Sequence, residues 1–457
     1  MTKNNINMFA AVVIASVMVA ANGATTPITT TINGVEWRFT LDEPNGAEGT
    51  AMIGLSTIET EATTDRDNDN LRGCSSSVSV DAGDIPWEFD YNDVHYKVTR
   101  IANSAFYKCT KMTGVLTIPP AVTTINAFAF QGCTGLTRLR GADGVTVIRK
   151  YAFHGCNNME GTYPDLTGAT YIGEGSFVNA PLTGALKLSN SLTTVKLLAF
   201  NACYFAGPAI MPSSVNTIGE AGSYGVFKQN RNLTAIWVKG KTSVPSDQTY
   251  STVHCGTFAS SCPEMKIILM GRNTKGGSMD KTGSNAMLAG DTGVQVFVPD
   301  NGFWNGLVLG GTDNKLWYYG PTNEFDLVVD DVLMRATFTP TTVDALTNSI
   351  AWAQSFKEHF DLDVRISVTN TLDIADATIT QEMASGVTFD RLMFSAKTQA
   401  ELTAILEKFP ATTPISIDPA GMTERMVIPE QYTNVHVKAA PGTIIQQTAR
   451  GLIILMR

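Results

Sequence analysis

The chain is short of charge. Only 16% of its 457 residues are Asp, Glu, Lys or Arg, the net charge is −9, and there are five histidines. Nucleic-acid binding draws on a basic face that releases counterions from phosphates, and nothing here supplies one. The histidines (His95, His154, His254, His359 and His436) are dispersed. No Gly-x-Ser-x-Gly elbow, His-Glu-x-x-His, Walker loop or Gly-x-Gly-x-x-Gly is present, so the common hydrolase, metalloprotease and nucleotide-binding signatures are excluded. Long apolar stretches are also missing after the first residues. The one run, Phe9–Ala21, falls short of the about 20 residues a membrane span requires. With Lys3 before it and Ala21-Asn22-Gly23 after it, residues 1–23 read as a secretory signal peptide. No Cys follows to take a lipid.

What is abundant is repetition. Hydrophobic residues make up 44%, with 39 Gly and 21 Phe, a composition that suits a folded, β-rich or repetitive chain. Aligned on phenylalanine, Ser104-Ala105-Phe106-Tyr107-Lys108-Cys109 is followed by Phe128-Ala129-Phe130-Gln131-Gly132-Cys133, Tyr151-Ala152-Phe153-His154-Gly155-Cys156, Gly175-Ser176-Phe177-Val178-Asn179-Ala180 and Leu198-Ala199-Phe200-Asn201-Ala202-Cys203. Looser copies follow at Phe227 and Phe258. The spacing from ring to ring is nearly constant through the first five copies and lengthens at the last two. An aliphatic residue lies five before Phe in the first five copies (Ile101, Ile125, Ile148, Ile172, Val195), and Met or Leu lies three after the Cys position at Met112, Leu136, Met159, Leu233 and Met265.

One such unit has too little apolar surface to fold alone, whereas stacked units bury Phe, Ile, Leu and Cys in a continuous core. The Leu-x-x-Ile-x-Val run predicts a short strand, as at Leu233–Val238. The Ala-Phe-x-x-Cys run predicts a turn or short helix. Of the seven cysteines, Cys109, Cys133, Cys156 and Cys203 share one repeat position. That position predicts buried free thiols, because Cys packs as a small hydrophobe. Cys255 and Cys262 could pair locally, and Cys74 stands apart.

The pattern Ile-x-x-x-Ala-Phe-x-x-Cys-x-x-Leu-x-x-Ile-x-Ile-Pro resembles the BspA-type leucine-rich repeats of bacterial and protist surface proteins. The resemblance covers residues 95–320. It weakens at the fourth copy, where Ser-Phe and Ala180 replace Ala-Phe and Cys, and at the sixth, with Val226-Phe227 and Asn230. Thr31–Thr40 resembles the β-hairpin opening that precedes such repeats, and Val294–Pro299 with Trp304 and Trp317 resembles their last strand and end cap. The expected fold is an α/β solenoid, a leucine-rich-repeat right-handed superhelix. Residues 24–94 would form a β-rich N-terminal cap and 321–457 a C-terminal α+β module.

In that module Thr341–Phe360 predicts a helix, since Leu346, Ile350, Ala353, Phe356 and Phe360 follow helical spacing. Thr398-Gln399-Ala400-Glu401 looks like a capping box ahead of an apolar face of Leu402, Ile405, Leu406 and Phe409. Strand-like runs occur at Val364–Val368, Arg391–Phe394, Ile415–Ile417, Val435–Val437 and Leu452–Leu455. The start of a parallel β-helix is the alternative. The terminal apolar strand either pairs inside the module or acts as a sorting or assembly signal.

Two binding candidates emerge. Residues between the core positions of each strand should point outward, which places Arg138, Arg140, Lys187, Trp237, Lys239, Leu269 and Phe297 on the strand face. Exposed aromatics and Arg typify interface hot spots. Equally, Trp237 and Phe297 could pack under a cap or against the C-terminal module. The other candidate is Asp65, Asp67 and Asp69, whose alternating carboxylates suggest calcium. The loop lacks the Gly and Glu of a full calcium loop, having Asn70 and Ser76 instead, and a solvated polar loop is the plainer reading. The expected protein is a non-enzymatic solenoid outside the cytoplasm, binding a protein or glycan ligand at a cell surface without a cofactor. An envelope scaffold, or an exported enzyme using the C-terminal module, are the alternatives.

Overall fold

The computed structural model describes residues 25–55, 68–164, 166–220, 225–240, 251–254, 262–276, 287–288, 290–300, 302–320, 325–330, 333–438, 443–448 and 451–456. The residues of the signal-peptide expectation, Asp65, Asp67, Cys255 and Phe258 lie outside the described residues. The chain divides into two compact units: Met1–Ile268 with Asn273–Gln295 and Phe303–Lys315, and Leu269–Arg272 with Val296–Gly302 and Leu316–Arg457.

The first unit is a stack of repeat turns of the leucine-rich-repeat type. Its long sheet begins with antiparallel strands Thr26–Ile32, Val35–Leu41 and Glu48–Ile53. It then runs in parallel through Val94–Ile101, Thr124–Ile125, Val147–Ile148, Tyr171–Ile172, Thr194–Val195, Thr217–Ile218, Ser251–Val253 and Thr274–Gly276. The aliphatic residue five before each Phe is the inward member of these short strands, and Ile101, Ile125, Ile148, Ile172 and Val195 are all buried. On the outer side threonines tie successive turns together. Thr146, Thr170 and Thr193 each donate Oγ1 to the preceding turn's carbonyl, at Thr123, Thr146 and Thr170, over 3.1, 3.1 and 2.9 Å.

The Ala-Phe-x-x-Cys segments are turns rather than helices. Their phenylalanines form one column of nearly parallel rings. Phe106, Phe130, Phe153, Phe177, Phe200 and Phe227 succeed one another at centroid spacings of 5.0, 5.3, 5.4, 5.8 and 5.7 Å. Trp37 meets the first ring edge-on at 6.5 Å.

The cysteines do more than fill space. Cys133, Cys156 and Cys203 donate Sγ–H to the backbone carbonyls of Phe106, Phe130 and Phe177, one turn back, over 2.9, 3.2 and 3.3 Å. Asn230, in the sixth copy, makes the same contact from Nδ2 to the Phe200 carbonyl at 2.6 Å. The Phe106, Phe130 and Phe177 carbonyls already accept from Cys109 N, Cys133 N and Ala180 N of their own turns at 3.1 Å, so the position favours a small buried donor that uses the second lone pair of a core carbonyl. Ala180 offers no such donor.

In the first five copies two positions per turn are left-handed, two before and two after each Phe, and in the sixth only the second is. The first set is Ser104, Phe128, Tyr151, Gly175 and Leu198 and the second is Lys108, Gly132, Gly155, Asn179, Ala202 and Gln229, with φ between 54° and 73°. Side chains pay about 1–2 kcal/mol for that conformation and glycine does not. A Cβ at Gly155 would meet nothing closer than the Gly132 backbone at 3.9 Å, so only the backbone cost applies. Gly155→Ala is expected to destabilise by about 1 kcal/mol, and Ala202→Gly to leave stability unchanged or raise it. Urea unfolding of both variants checks the opposite signs.

The second unit holds a six-stranded sheet. Phe325–Asp330 pairs antiparallel with Arg335–Pro340, and Asp363–Ser367, Thr388–Ser395, Ile415–Asp418 and Val435–Val437 follow in parallel and in chain order. Ile366 pairs with Phe389 and Leu392 with Ile415, and each partner lies one repeat length further along the chain. Helix α1 (Val343–Phe360) is capped by Thr342 Oγ1, which accepts from Ala345 N at 3.1 Å, and ends at left-handed Asp361. α2 (Gln381–Ala384) and α3 (Gln399–Leu406) fill the next two crossovers. At α3, Thr398 caps Glu401 N at 3.2 Å, and the Glu401 carboxylate reaches one position further back than a capping box, to Lys397 N at 2.6 Å. The terminal strand Gly451–Met456 pairs antiparallel with Met426–Pro429 and Thr443–Thr448.

Candidate functional site

Arg138 and Arg140 stand two apart on strand Leu136–Gly141, on either side of buried Leu139, and both are exposed. Alternation along the strand puts them on one face. Neither has a hydrogen-bond or ion-pair partner among the described residues. Some other basic groups of the chain are paired: Arg100 with Asp42, Lys150 with Glu174, Arg335 and Arg365 with Asp363.

The face continues across the neighbouring strands. Arg138 extends along the chain at Gly161, where a Cβ would come within 3.2 Å of its Nε. Glycine there leaves room for the guanidinium to lie along the sheet. Thr162, beside it, pairs with Thr183, which pairs with Tyr204. All three are exposed, and Tyr204 at 48% is one of the few large apolar side chains in water. Strand Leu136–Gly141 is the edge of one three-stranded sheet, and Gly161–Thr162, Leu182–Gly184 and Tyr204–Phe205 make another, with Glu160 N donating to Thr137 O at 2.9 Å between them. Arg138, Thr162, Thr183 and Tyr204 thus lie in a strip across the two, with a floor of Gly161 and Gly184. Glu160, preceding the second strand, is exposed and makes no ion pair among the described residues.

The remaining sequence candidates separate. Lys187 is exposed but lies past the end of strand Leu182–Gly184. Trp237 is fully buried, as are its strand neighbours Ile236 and Val238, and half-buried Lys239 holds its ammonium 4.6 Å above the Trp237 ring. Leu269 and Phe297 are also fully buried. Phe297 meets Trp352 and Phe356 of α1 edge-on, at 5.0 and 5.3 Å. The expectation of an outward face at Trp237, Leu269 and Phe297 is therefore corrected. These strands are covered on both sides, and both sides are apolar.

Asp69 accepts from Arg72 Nη1 at 2.7 Å and from Ser76 N at 3.0 Å through one oxygen, and from Ser75 Oγ at 2.8 Å through the other. Partial burial pushes its pKa up, but these donors outweigh burial and hold the carboxyl below its ordinary range. Both oxygens serve their own turn, and among the described residues no three His, Cys, Asp or Glu side chains come together.

Burial dominates the repeat thiols from Cys133 onward. Cys109, Cys133, Cys156, Cys203 and Cys262 are buried and free, and desolvation of the thiolate pushes the pKa of both Cys156 and Cys262 up to about 12. The folded state therefore favours the protonated thiol. Its contribution to stability is fully present below the unfolded value of about 8.5 and is lost as pH climbs from there towards about 12. Two outcomes are expected: stability that falls above about pH 8.5, and iodoacetamide labelling of Cys156 only once the chain unfolds. Mass spectrometry of the labelled native protein checks the second, and rapid native labelling at Cys156 would contradict it.

Residues 99–234 and 153–257 match the model of the BspA type leucine rich repeat region, in six copies. No curated protein matches the chain. Among solved structures, the chain is similar to the Treponema pallidum leucine-rich repeat protein at 22% identity and a TM-score of 0.34, over 50% of this chain and 87% of that one. It is also similar to a leucine-rich cell surface protein of Faecalibacterium prausnitzii A2-165, at 14% identity and a TM-score of 0.32, over 65% and 96% of the two chains. The pneumococcal vaccine antigen PcpA matches at 12% identity and a TM-score of 0.29, over 66% and 100%.

Proposed function

We propose, from the premise that residues 99–257 are a BspA-type leucine-rich repeat region, that the chain is an exported solenoid that binds a protein or glycan ligand at a cell surface. In this reading residues 1–23 are a cleaved leader, 24–94 a β cap, 95–320 the repeats as a right-handed superhelix with their end cap, and 321–457 a separate module. The observation that carries the binding role is the exposed pair Arg138 and Arg140, without intramolecular partners among the described residues. Charges left unpaired on a rigid scaffold cost little in water and are available to a ligand. The apolar segment Phe9–Ala21 supports export, and no described helix is long and apolar enough to cross a membrane. The role asks nothing of catalysis or of a cofactor. Calcium at Asp65, Asp67 and Asp69 is not needed for it.

Fractionation with protease shaving of intact cells, followed by a matrix-protein and glycan array, tests the proposal. The expected result is a protease-accessible protein that lacks residues 1–23 and retains a subset of array members. Retention of the full-length chain in the cytoplasm would sink it.

A further inference from the structure

The strip narrows the ligand class. We infer that Arg138, Arg140, Thr162, Thr183 and Tyr204 form a subsite for an acidic oligosaccharide, one carrying uronate carboxylates or sulfates. The inference rests on the binding role proposed above. Its first support is charge. In a chain of net charge −9, two adjacent arginines without partners among the described residues make a local positive site. A guanidinium offers paired donors that match a carboxylate or sulfate.

The second support is shape. Arg138 to Tyr204 crosses three strand spacings of about 4.8 Å, or about 14 Å in all, the length of a short oligosaccharide. The floor is Gly161 and Gly184, and both glycines have positive φ, at 111° and 75°. A Cβ at Gly161 would crowd Arg138, and one at Gly184 would sit 3.4 Å from the Thr162 methyl. The floor is low because side chains are absent from it. The third support is the pairing of chemistries. Tyr204 offers an exposed ring on which the C–H face of a sugar can stack, as amphipathic aromatics do at wet interfaces. Thr162 and Thr183 supply hydroxyls between ring and guanidinium. A peptide ligand would favour apolar side-chain pockets, whereas the described side chains of this face are polar apart from Tyr204 and half-buried Val115.

The test uses the full chain with four probes by titration calorimetry: tetragalacturonate, a sulfated tetrasaccharide, an uncharged tetrasaccharide and hexaglutamate. An acidic sugar should bind, weakening with salt, and the carboxylated and sulfated probes decide which anion is preferred. Arg138→Gln with Arg140→Gln should weaken binding at least about tenfold. Tyr204→Ala should weaken sugar binding by a similar factor, and hexaglutamate should bind the wild-type chain at least about tenfold more weakly than the acidic sugar does. These side chains are exposed, so circular dichroism should show all variants folded. Equal binding of the uncharged sugar overturns the inference, as does tight hexaglutamate binding that Tyr204→Ala leaves intact, which would make the site one for acidic peptide. Failure to bind either acidic sugar also overturns it. If the wild-type chain retains array members that the double variant retains equally, this subsite falls while the surface-binding role stands. A chain that stays inside the cell and retains nothing removes both.

Discussion

Replacing Phe153 by alanine should cost about 3–5 kcal/mol and open the solenoid at its middle. Phe153 is fully buried and stacks on Phe130 and Phe177 at 5.3 and 5.4 Å. The truncation removes the transfer energy of a whole ring, leaves a cavity in a column that cannot collapse along its own axis, and loses two ring contacts at once. Each repeat touches only its neighbours, so stability is close to a sum of repeat and interface terms. A central defect deletes two interfaces. Phe227, whose described ring contact within the column is Phe200 alone, should cost less when truncated. Hydrogen exchange measured peptide by peptide gives the discriminating result. Faster exchange in Phe153→Ala should centre on residues 128–180 and fade away from them. A loss below about 1 kcal/mol, or a uniform rise across the chain, would mean the column is not the structural spine.

The spine is legible in the sequence because its period is rigid. A ring at a near-constant interval, an aliphatic residue five before it and a sulfur three after it admit one stacking arrangement, and the column of rings follows. The hydrogen bond from each cysteine is less visible. Reading Cys as a small hydrophobe accounts for Cys133, Cys156 and Cys203 but not for Asn230, a buried amide at the same position. A preference for a small donor explains both, and Asn230 is its signal. The left-handed positions are half visible. Gly132, Gly155 and Gly175 mark them, while Phe128, Tyr151 and Leu198 occupy them at a backbone cost that packing overrides.

The strand face is misread where the alternation rule meets strands that do not alternate. Leu233–Val238 reads LTAIWV, and from Ala235 to Val238 every side chain is buried. A continuous apolar run of this kind marks a strand covered on both faces. Arg138 and Arg140 are legible for the opposite reason: charged residues flank a lone Leu, and such a strand faces water on one side. Tyr204 escapes the pattern because register drifts there. Thr183 pairs with Tyr204, slightly short of a full repeat length along the chain, so a strict repeat alignment puts the ring on no particular face.

Phe297 sharpens the difference between a binding residue and a core residue. With a fully buried ring edge-on to Trp352 and Phe356, Phe297→Ala should cost about 3–5 kcal/mol. The loss belongs to the second unit, where Trp317 and Trp352 also lie in contact at 4.7 Å. Their environment should change together, so near-ultraviolet dichroism and tryptophan fluorescence should follow an earlier unfolding transition. Arg138 and Tyr204 are in the other unit, and any ligand held by the exposed strip should bind the folded Phe297→Ala chain with unchanged affinity. A ligand-contacting phenylalanine would behave in the reverse way, keeping the transition and losing the ligand. The two outcomes have opposite signs in two separate measurements. Buried apolar area and edge-to-face contacts are stability terms, and a ring with no exposed surface has none left to offer a partner.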